Sequence, residues 1–271
     1  MDAVQAIVLG IVQGLTEFLP VSSTAHLRIV PALLGWRDPG AAFTAVVQLG
    51  TMAAVLLFFR ADLTRIARTW LASLRRRELR GELDARMGWY IGLGTVPIAV
   101  LGFVFRDQVE SGARNLYLIG CALILLGLVL LWAEHVARRT RELEAIGSRD
   151  ATAIGCAQAL ALVPGVSRSG STITAGLLRG FDRASAARYS FLLSVPAVVL
   201  SGLFEARKIG EPGGAAALPT LVATLLAFAV GYASIAFLLR WLVRHSTAIF
   251  VAYRVGLGAL VLSLTAAGAI G

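Results

Sequence analysis

Six long apolar stretches constrain the fold of this chain more than any other feature of its sequence. They approach or reach the roughly 17–25 residues that a helix needs to cross a bilayer. Only 15% of the residues are charged, against roughly 25% in soluble domains, and the mean hydropathy is +0.76. We therefore expect an all-α polytopic membrane protein with about six transmembrane helices, near Ala42–Phe59, Gly88–Phe105, Leu116–Ala133, Arg188–Phe204, Leu218–Leu239 and Ala248–Ile270.

Two further apolar segments carry the same polar interruption. The first reads QGLTEFLPVSSTAH over Gln13–His26, and the second reads QALALVPGVSRSGS over Gln158–Ser171. Both begin with Gln, contain a Pro, and reach a Val-Ser pair eight residues after the Gln, so that a constant offset of 145 residues relates them. Ionisable residues at membrane depth mark functional sites by default. The two copies therefore indicate an internal repeat with a functional role.

Each interrupted segment predicts a re-entrant helical hairpin. Val4–Leu19 is apolar but short, and Pro20 stops it because proline lacks an N–H and clashes with the preceding turn. Ser and Thr residues that suit helix N-caps follow, and a second short helix is expected over about Thr24–Leu34. The second copy repeats the design with Ala151–Val163, a Pro164-Gly165 break and Ser169–Leu178. Two ordinary kinked spans are the alternative.

The chain is expected to form a single integral membrane domain over residues 1–271. Repeat 1 covers about 1–136 and repeat 2 about 151–271, with basic cytoplasmic loops at about 60–87 and 137–150. If each half holds one hairpin and three spans, an odd number of crossings separates the halves, and their topologies are inverted. Inverted repeats place broken helices near the bilayer midplane.

Arginines are unevenly distributed between the connections. Seventeen lie in residues 60–86, 137–152, 179–188 and 240–247, whereas six basic residues fall on the other side: Arg28, Arg37, Arg106, Arg114, Arg207 and Lys208. The positive-inside rule places the first group in the cytoplasm and both termini outside. Since the basic loops border the spans, the positive charge does not call for a nucleic-acid partner.

The two elbows together have the chemistry of a phosphate receptor. Helix N-termini present unpaired N–H groups and a partial positive charge, which suits phosphate. Arg168 adds a fixed cation whose planar fork matches phosphate oxygens. Hydroxyl groups from both copies supply further contacts. We expect substrate-binding roles for Gln13, Ser22, Thr24, Ser167, Ser169 and Thr172, with Ser23 beside them.

Glu17 and His26 add catalytic potential to this receptor. A carboxylate beside phosphates is useful if it holds a divalent cation or moves a proton, and Mg²⁺ or Ca²⁺ is the expected cofactor. Gln13 lies four residues before Glu17 and projects from the same helix face, so it is a possible second metal ligand. His26 could act as general base to a serine hydroxyl. The alternatives are an ion pair between Glu17 and Arg168, a satisfied interfacial His26, and serines that only cap helices.

These two motifs resemble the signatures of the bacterial undecaprenyl-diphosphatases, the membrane family linked to bacitracin resistance. The chain is similar to that family in (E/Q)-x-x-x-E followed by LPVSST-x-H, and in PG-x-SRS-x-x-T over Pro164–Thr172. The likeness extends to QLG at Gln48–Gly50, SFLLSVP at Ser190–Pro196 and the pair Tyr253-Arg254. Many family members have Glu at the first motif position, where this chain has Gln13.

The resemblance implies hydrolysis of undecaprenyl diphosphate to undecaprenyl phosphate and inorganic phosphate. This reaction recycles the lipid carrier for peptidoglycan and other envelope polymers and confers bacitracin resistance. It also implies a bacterial cytoplasmic (inner) membrane location, with the site open to the outer, periplasmic face. A polyprenyl-phosphate flippase that uses the same elbow is the alternative function. The sequence leaves both a monomer and a homodimer open.

The expected mechanism combines the residues with the resemblance. Arg168 holds the phosphates, and Glu17, with or without Gln13, positions the cation. Ser23 attacks the terminal phosphate with His26 as its base, and a metal-activated water is the rival nucleophile. Arg254 is expected to be a buried charge, with backbone carbonyls or the substrate as its partner.

Overall fold

The computed structural model describes residues 1–105, 108, 115–205 and 217–271. Within this part of the chain the regular structure is helical, apart from one isolated bridge between Arg141 and Phe181. The α-helices are α1 (Ala3–Phe18), α2 (Ser23–Leu33), α3 (Gly40–Phe58), α4 (Arg60–Arg75), α5 (Leu83–Val104), α6 (Leu116–Val136), α7 (Ser148–Ala159), α8 (Arg168–Leu178), α9 (Arg183–Glu205), α10 (Ala217–Arg244) and α11 (Ala248–Ala266).

Four of these helices are long and apolar enough to cross a membrane, namely α5, α6, α10 and α11. Large apolar side chains are exposed on these helices, as is typical of lipid-facing residues: Phe103 is 72% exposed and Leu218 is 71% exposed. A fifth candidate is the bent pair of α3 and α4, in which the two helix axes differ by 73°. The remaining predicted span, Arg188–Phe204, lies in α9 and is not among the apolar candidates found in the described residues.

Helix α4 corrects the expectation that residues 60–87 form a loop. Arg60–Arg75 is helical, a short 3₁₀ turn follows at Arg77–Gly81, and α5 already begins at Leu83. The helix is amphipathic: Ile66 and Ser73 are buried on one face, while its arginines are exposed. One of these arginines, Arg65, donates to Asp84 of α5. The Trp70 ring packs edge-on against Trp89 of α5, which holds α4 against the neighbouring span.

Both predicted hairpins form pairs of short helices with a sharp break between them. In the first, α1 ends at Phe18 and α2 begins at Ser23. In the second, α7 ends at Ala159, a 3₁₀ turn covers Leu160–Leu162, and α8 begins at Arg168. The helix boundaries agree with the sequence expectation to within a few residues. Pro20 in the first break and Pro164-Gly165 in the second therefore help to determine where these helices stop.

Ion pairs tie the arginine-rich connections to the helix ends. Asp150 at the start of α7 accepts hydrogen bonds from Arg141 and Arg179, each at 2.7 Å. Glu134 near the end of α6 likewise binds Arg139 and Arg183. These arginines therefore stabilise the junctions between helices as well as carrying charge. On the opposite side of the predicted topology, Arg106, Arg114, Arg207 and Lys208 lie outside the described residues.

Candidate active site

The two elbows have the same unusual backbone conformation at equivalent positions. Ser22 has φ +74° and Ser167 has φ +70°, a region that residues other than glycine seldom adopt. They are 145 residues apart, which is the offset between the two motif copies. Each one immediately precedes a helix, so the turn aims the first residues of α2 and α8 into the protein. Strained backbone of this kind is concentrated at functional sites.

Arg254 joins the two elbows through their backbone carbonyls. Its side chain comes from α11 and is fully buried. The guanidinium donates to five carbonyl oxygens: those of Pro20 in the first elbow, Gly165 and Val166 in the second, and Ala122 and Leu123 of α6. Pro20 and Gly165 are themselves equivalent positions of the repeat. The sequence left backbone carbonyls and the substrate as the two expected partners of Arg254. In the structure its partners are backbone carbonyls.

Glu17 stands at the centre of the polar cluster where the elbows meet. Its carboxylate is 7% exposed and accepts four hydrogen bonds. Ser23 donates to Oε2 at 2.6 Å, and Gln13 donates to the same oxygen at 2.9 Å. Arg168 donates to Oε1 at 2.7 Å, and Gln48 at 3.3 Å. The ion pair between Glu17 and Arg168, an alternative from the sequence, is thus present.

Two atoms beside this carboxylate have no hydrogen-bond partner among the described residues. They are Nη1 of Arg168, a donor, and Oε1 of Gln13, an acceptor, and both atoms are buried. A buried polar group without a partner costs about 1–3 kcal/mol, so such atoms need an explanation. A guanidinium N–H can bind a phosphate oxygen, and an amide oxygen can bind a cation. The cluster therefore has unused capacity for a phosphate and for a positive charge.

His26 is not paired with Ser23, contrary to the expected base–nucleophile couple. Its Nδ1 lies 2.7 Å from the carbonyl oxygen of Ser22, and its Nε2 lies 2.7 Å from the hydroxyl of Tyr253. The Ser23 hydroxyl instead donates to Glu17. The reason is local geometry: His26 follows Ser22 by one helical turn, so its ring reaches the carbonyl at the start of its own helix.

The other predicted contact residues mostly hold the elbows together. Ser167 accepts from the amide of Gly170 as a helix cap, and Ser169 donates to the carbonyl of Leu19 across the two elbows. Thr172 is fully buried and bonds to Ser190 on α9 at 2.6 Å.

In the first elbow, the hydroxyl oxygens of Ser22 and Thr24 lie 3.3 Å apart. Thr24 is exposed and Ser22 is buried.

Reasoning from the sequence alone assigned no role to Gln48 or Tyr253. Gln48 lies in the apolar helix α3, and Tyr253 lies in α11 next to Arg254. Both side chains now bond to predicted site residues. A signal was available for Gln48, because an amide in the middle of an apolar span is rare unless it has a function.

The residues present fit a divalent cation that is shared with a bound phosphate. Glu17 supplies one carboxylate, and Gln13 supplies the unpartnered amide oxygen. Across the described residues, no cluster of three or more His, Cys, Asp or Glu side chains could hold a metal. Mg²⁺ is commonly bound by one or two carboxylates together with substrate phosphates. The donor set therefore suits a cation whose remaining ligands come from substrate and water.

The sequence matches a known family along nearly its whole length. Residues 6–260 match the family described as bacitracin resistance protein BacA. An undecaprenyl-diphosphatase of Nocardioides sp. is 56% identical over 100% of this chain and 99% of its own length. Undecaprenyl-diphosphatase 2 of Frankia casuarinae is 53% identical over 100% and 97% of the two chains. Undecaprenyl-diphosphatase of Chloroherpeton thalassium is 50% identical over 99% and 98%. This chain belongs to the BacA family of multi-pass membrane proteins.

Proposed function

We propose that the protein hydrolyses undecaprenyl diphosphate to undecaprenyl phosphate and inorganic phosphate. As a phosphoric anhydride hydrolase of the cell envelope, it would return the lipid carrier to peptidoglycan synthesis and confer resistance to bacitracin. Family membership and the names of its relatives support this activity. The observation that carries it is the convergence of Ser23 and Arg168 on Glu17, beside an unpartnered guanidinium N–H.

The site would bind the diphosphate through Arg168 and the surrounding N–H and O–H groups. The unpartnered Nη1 of Arg168 is the donor that a phosphate oxygen would satisfy first. Positive charge from the guanidinium would stabilise the charge that develops on the phosphate oxygens during the reaction, the effect that dominates many active sites. The apolar helix surfaces around the elbows suit the polyprenyl tail of the substrate.

Ser23 is the nucleophile that the hydrogen bonds favour, with Glu17 in place of His26 as its base. The Ser23 oxygen attacks the terminal phosphorus while its proton passes to Oε2 of Glu17, 2.6 Å away. The bond from that phosphorus to the bridging oxygen breaks and releases undecaprenyl phosphate. Water then hydrolyses the phosphoserine, which yields inorganic phosphate and restores the hydroxyl. In the rival route, water attacks the terminal phosphorus directly.

A divalent cation would be held by Glu17 and the amide oxygen of Gln13. When bound, Mg²⁺ or Ca²⁺ would neutralise negative charge on the diphosphate. The same carboxylate also binds Arg168, so the cation and the guanidinium share one partner. The ion pair between Glu17 and Arg168 would therefore change when the substrate and the cation bind.

We further propose six membrane spans, α3, α5, α6, α9, α10 and α11, with two re-entrant hairpins, α1–α2 and α7–α8, in inverted repeats. Helix α1 packs along α10, and its counterpart α7 packs along α5, the counterpart of α10. The closest approaches use equivalent glycines. A Cβ on Gly10 would lie 2.5 Å from the Ala223 carbonyl oxygen, and one on Gly155 would lie 2.4 Å from the Gly94 Cα.

The arginine distribution supports an orientation for these spans in the bacterial inner membrane. It would place the basic connections in the cytoplasm and let the site open to the periplasmic face. The repeat architecture also favours one second candidate function, transfer of a polyprenyl phosphate between leaflets, because transporters often use inverted repeats with broken helices.

One experiment separates hydrolysis from transfer. Purified protein in sealed vesicles is given undecaprenyl diphosphate in the outer leaflet, and both inorganic phosphate and the sidedness of the lipid are measured. Hydrolysis predicts one inorganic phosphate for each undecaprenyl phosphate formed. A substrate that changes leaflet with both phosphates attached, without phosphate release, would contradict the proposal and favour the transporter.

A further inference from the structure

The hydrogen-bond partners of the His26 imidazole determine which tautomer its neutral form adopts. The ring is 4% exposed, and Nδ1 lies 2.7 Å from the carbonyl oxygen of Ser22. A carbonyl oxygen can only accept a hydrogen bond, so Nδ1 must carry a proton. In the neutral ring, Nε2 is then the unprotonated nitrogen with a free lone pair. The hydrogen bond of Nδ1 to the Ser22 carbonyl therefore determines the tautomer of the neutral ring.

Tyr253 occupies that lone pair. Its hydroxyl oxygen is 2.7 Å from Nε2, so the phenol O–H donates to the neutral ring. The two rings are also stacked, with centroids 5.5 Å apart and planes inclined by 7°. Tyr253 therefore fixes the rotation of the imidazole, while the carbonyl of Ser22 makes Nε2 the nitrogen that is able to accept a proton.

The position of Tyr253 is itself determined by the neighbouring residue. Arg254 holds carbonyls of both elbows, which sets the rotation of α11 about its axis. Successive residues on a helix point about 100° apart, so the inward direction of Arg254 turns Tyr253 toward His26. Tyr253 is 48% exposed, whereas His26 is buried. The contacts of Arg254 thus hold the half-exposed Tyr253 hydroxyl against the buried ring of His26.

We propose that Tyr253 is a positioning residue of this active site that acts through His26. Its hydroxyl holds the imidazole with its proton on Nδ1 and with Nε2 unprotonated. Nε2 then takes the proton of the water that hydrolyses the phosphoserine, while Glu17 returns its proton to the Ser23 oxygen. Without the hydroxyl, the ring would keep its carbonyl bond but lose the contact that directs Nε2. The catalytic part of this inference rests on the proposed hydrolysis, whereas the tautomer does not.

The kinetic test compares Tyr253→Phe with Tyr232→Phe in an assay of phosphate release from undecaprenyl diphosphate. Tyr253→Phe keeps the stacked ring and removes only the oxygen. Tyr232, whose ring packs edge-on against Phe58, is the matched control. We expect kcat to fall about tenfold for Tyr253→Phe, the value of one lost hydrogen bond, with KM within about twofold and the control at the wild-type rate.

A double-mutant cycle tests whether Tyr253 works through His26. In a His26→Ala background, adding Tyr253→Phe should cause no further loss, because residues that act as a unit are not additive. A wild-type kcat for Tyr253→Phe would overturn the proposal. So would the same tenfold loss in the His26→Ala background, since Tyr253 would then act independently of His26.

A spectroscopic measurement separates failure of this inference from failure of the proposed function. The protein is labelled with ¹⁵N in its three histidine rings, and His26 is assigned by the signals that His26→Ala removes. We expect a neutral His26 protonated at Nδ1, a shift of its Nε2 signal in Tyr253→Phe, and no shift in Tyr232→Phe. Protonation at Nε2, or an unchanged signal in Tyr253→Phe, would overturn the proposal even if wild-type protein released no phosphate.

Discussion

Ser23 and Arg168 lie at equivalent positions of the two motif copies, 145 residues apart, and bind opposite oxygens of the same carboxylate, that of Glu17. Each is the first residue of the helix that follows its elbow. One copy therefore contributes a hydroxyl and the other a fixed cation, and the facing elbows bring both to one acid. Neither copy contains the whole constellation, so the site requires both halves of the chain.

Ser23 can be tested as nucleophile by substitution with alanine. Ser23→Ala should lower the rate of phosphate release by at least about 100-fold, because the attacking oxygen is lost. Ser234→Ala is the matched control, because its hydroxyl donates to the Val230 carbonyl of its own helix, outside both elbows. The measurement is the initial rate at saturating undecaprenyl diphosphate. A loss of only a few-fold for Ser23→Ala would favour direct attack by water.

The short helices and their breaks could be predicted from sequence because local chemistry determines them. Pro20 and Pro164-Gly165 interrupt apolar segments, and the helices end near those residues. The polar residues at membrane depth were identifiable for the same reason, since each is costly there without a partner.

Apart from the ion pair between Glu17 and Arg168, the pairing inside the site could not be predicted, because it depends on how the helices pack. His26 is close to Ser23 in sequence, yet its ring nitrogens bond to Ser22 and Tyr253. Tyr253 is 227 residues from His26 in the sequence, and Gln48 is 31 residues from Glu17. Helix α4 was missed because its many arginines resembled a solvated loop, while its buried face consists of a few widely spaced residues.

The proposed cation site gives a prediction for Gln13. Replacing it by glutamate adds a second carboxylate next to Glu17, so Gln13→Glu should reach half-maximal phosphate release at a lower Mg²⁺ concentration than wild type. EDTA should abolish release by both proteins, and Mg²⁺ or Ca²⁺ should restore it. Release that persists in EDTA, or a Gln13→Glu variant with unchanged Mg²⁺ dependence, would show that no cation acts at this position.

Arg254 is predicted to be a stability determinant. Arg254→Met removes the donor for five buried carbonyls and should lower the free energy of unfolding by about 3 kcal/mol or more. The readout is the thermal midpoint of purified protein in detergent. The exposed Arg240 on α10 provides the control, and Arg240→Met should leave the midpoint near that of wild type. An Arg254→Met protein with the wild-type midpoint would refute the clamp between the elbows.

The most direct test of the account is phosphate release from undecaprenyl diphosphate by wild-type protein and Arg168→Ala, with Arg75→Ala as control. Arg75 is exposed at the end of α4, away from the elbows. The account predicts metal-dependent release by wild type and Arg75→Ala, and a loss of at least about 100-fold in a folded Arg168→Ala protein. Near-normal release by Arg168→Ala, or none from folded wild-type protein, would contradict it.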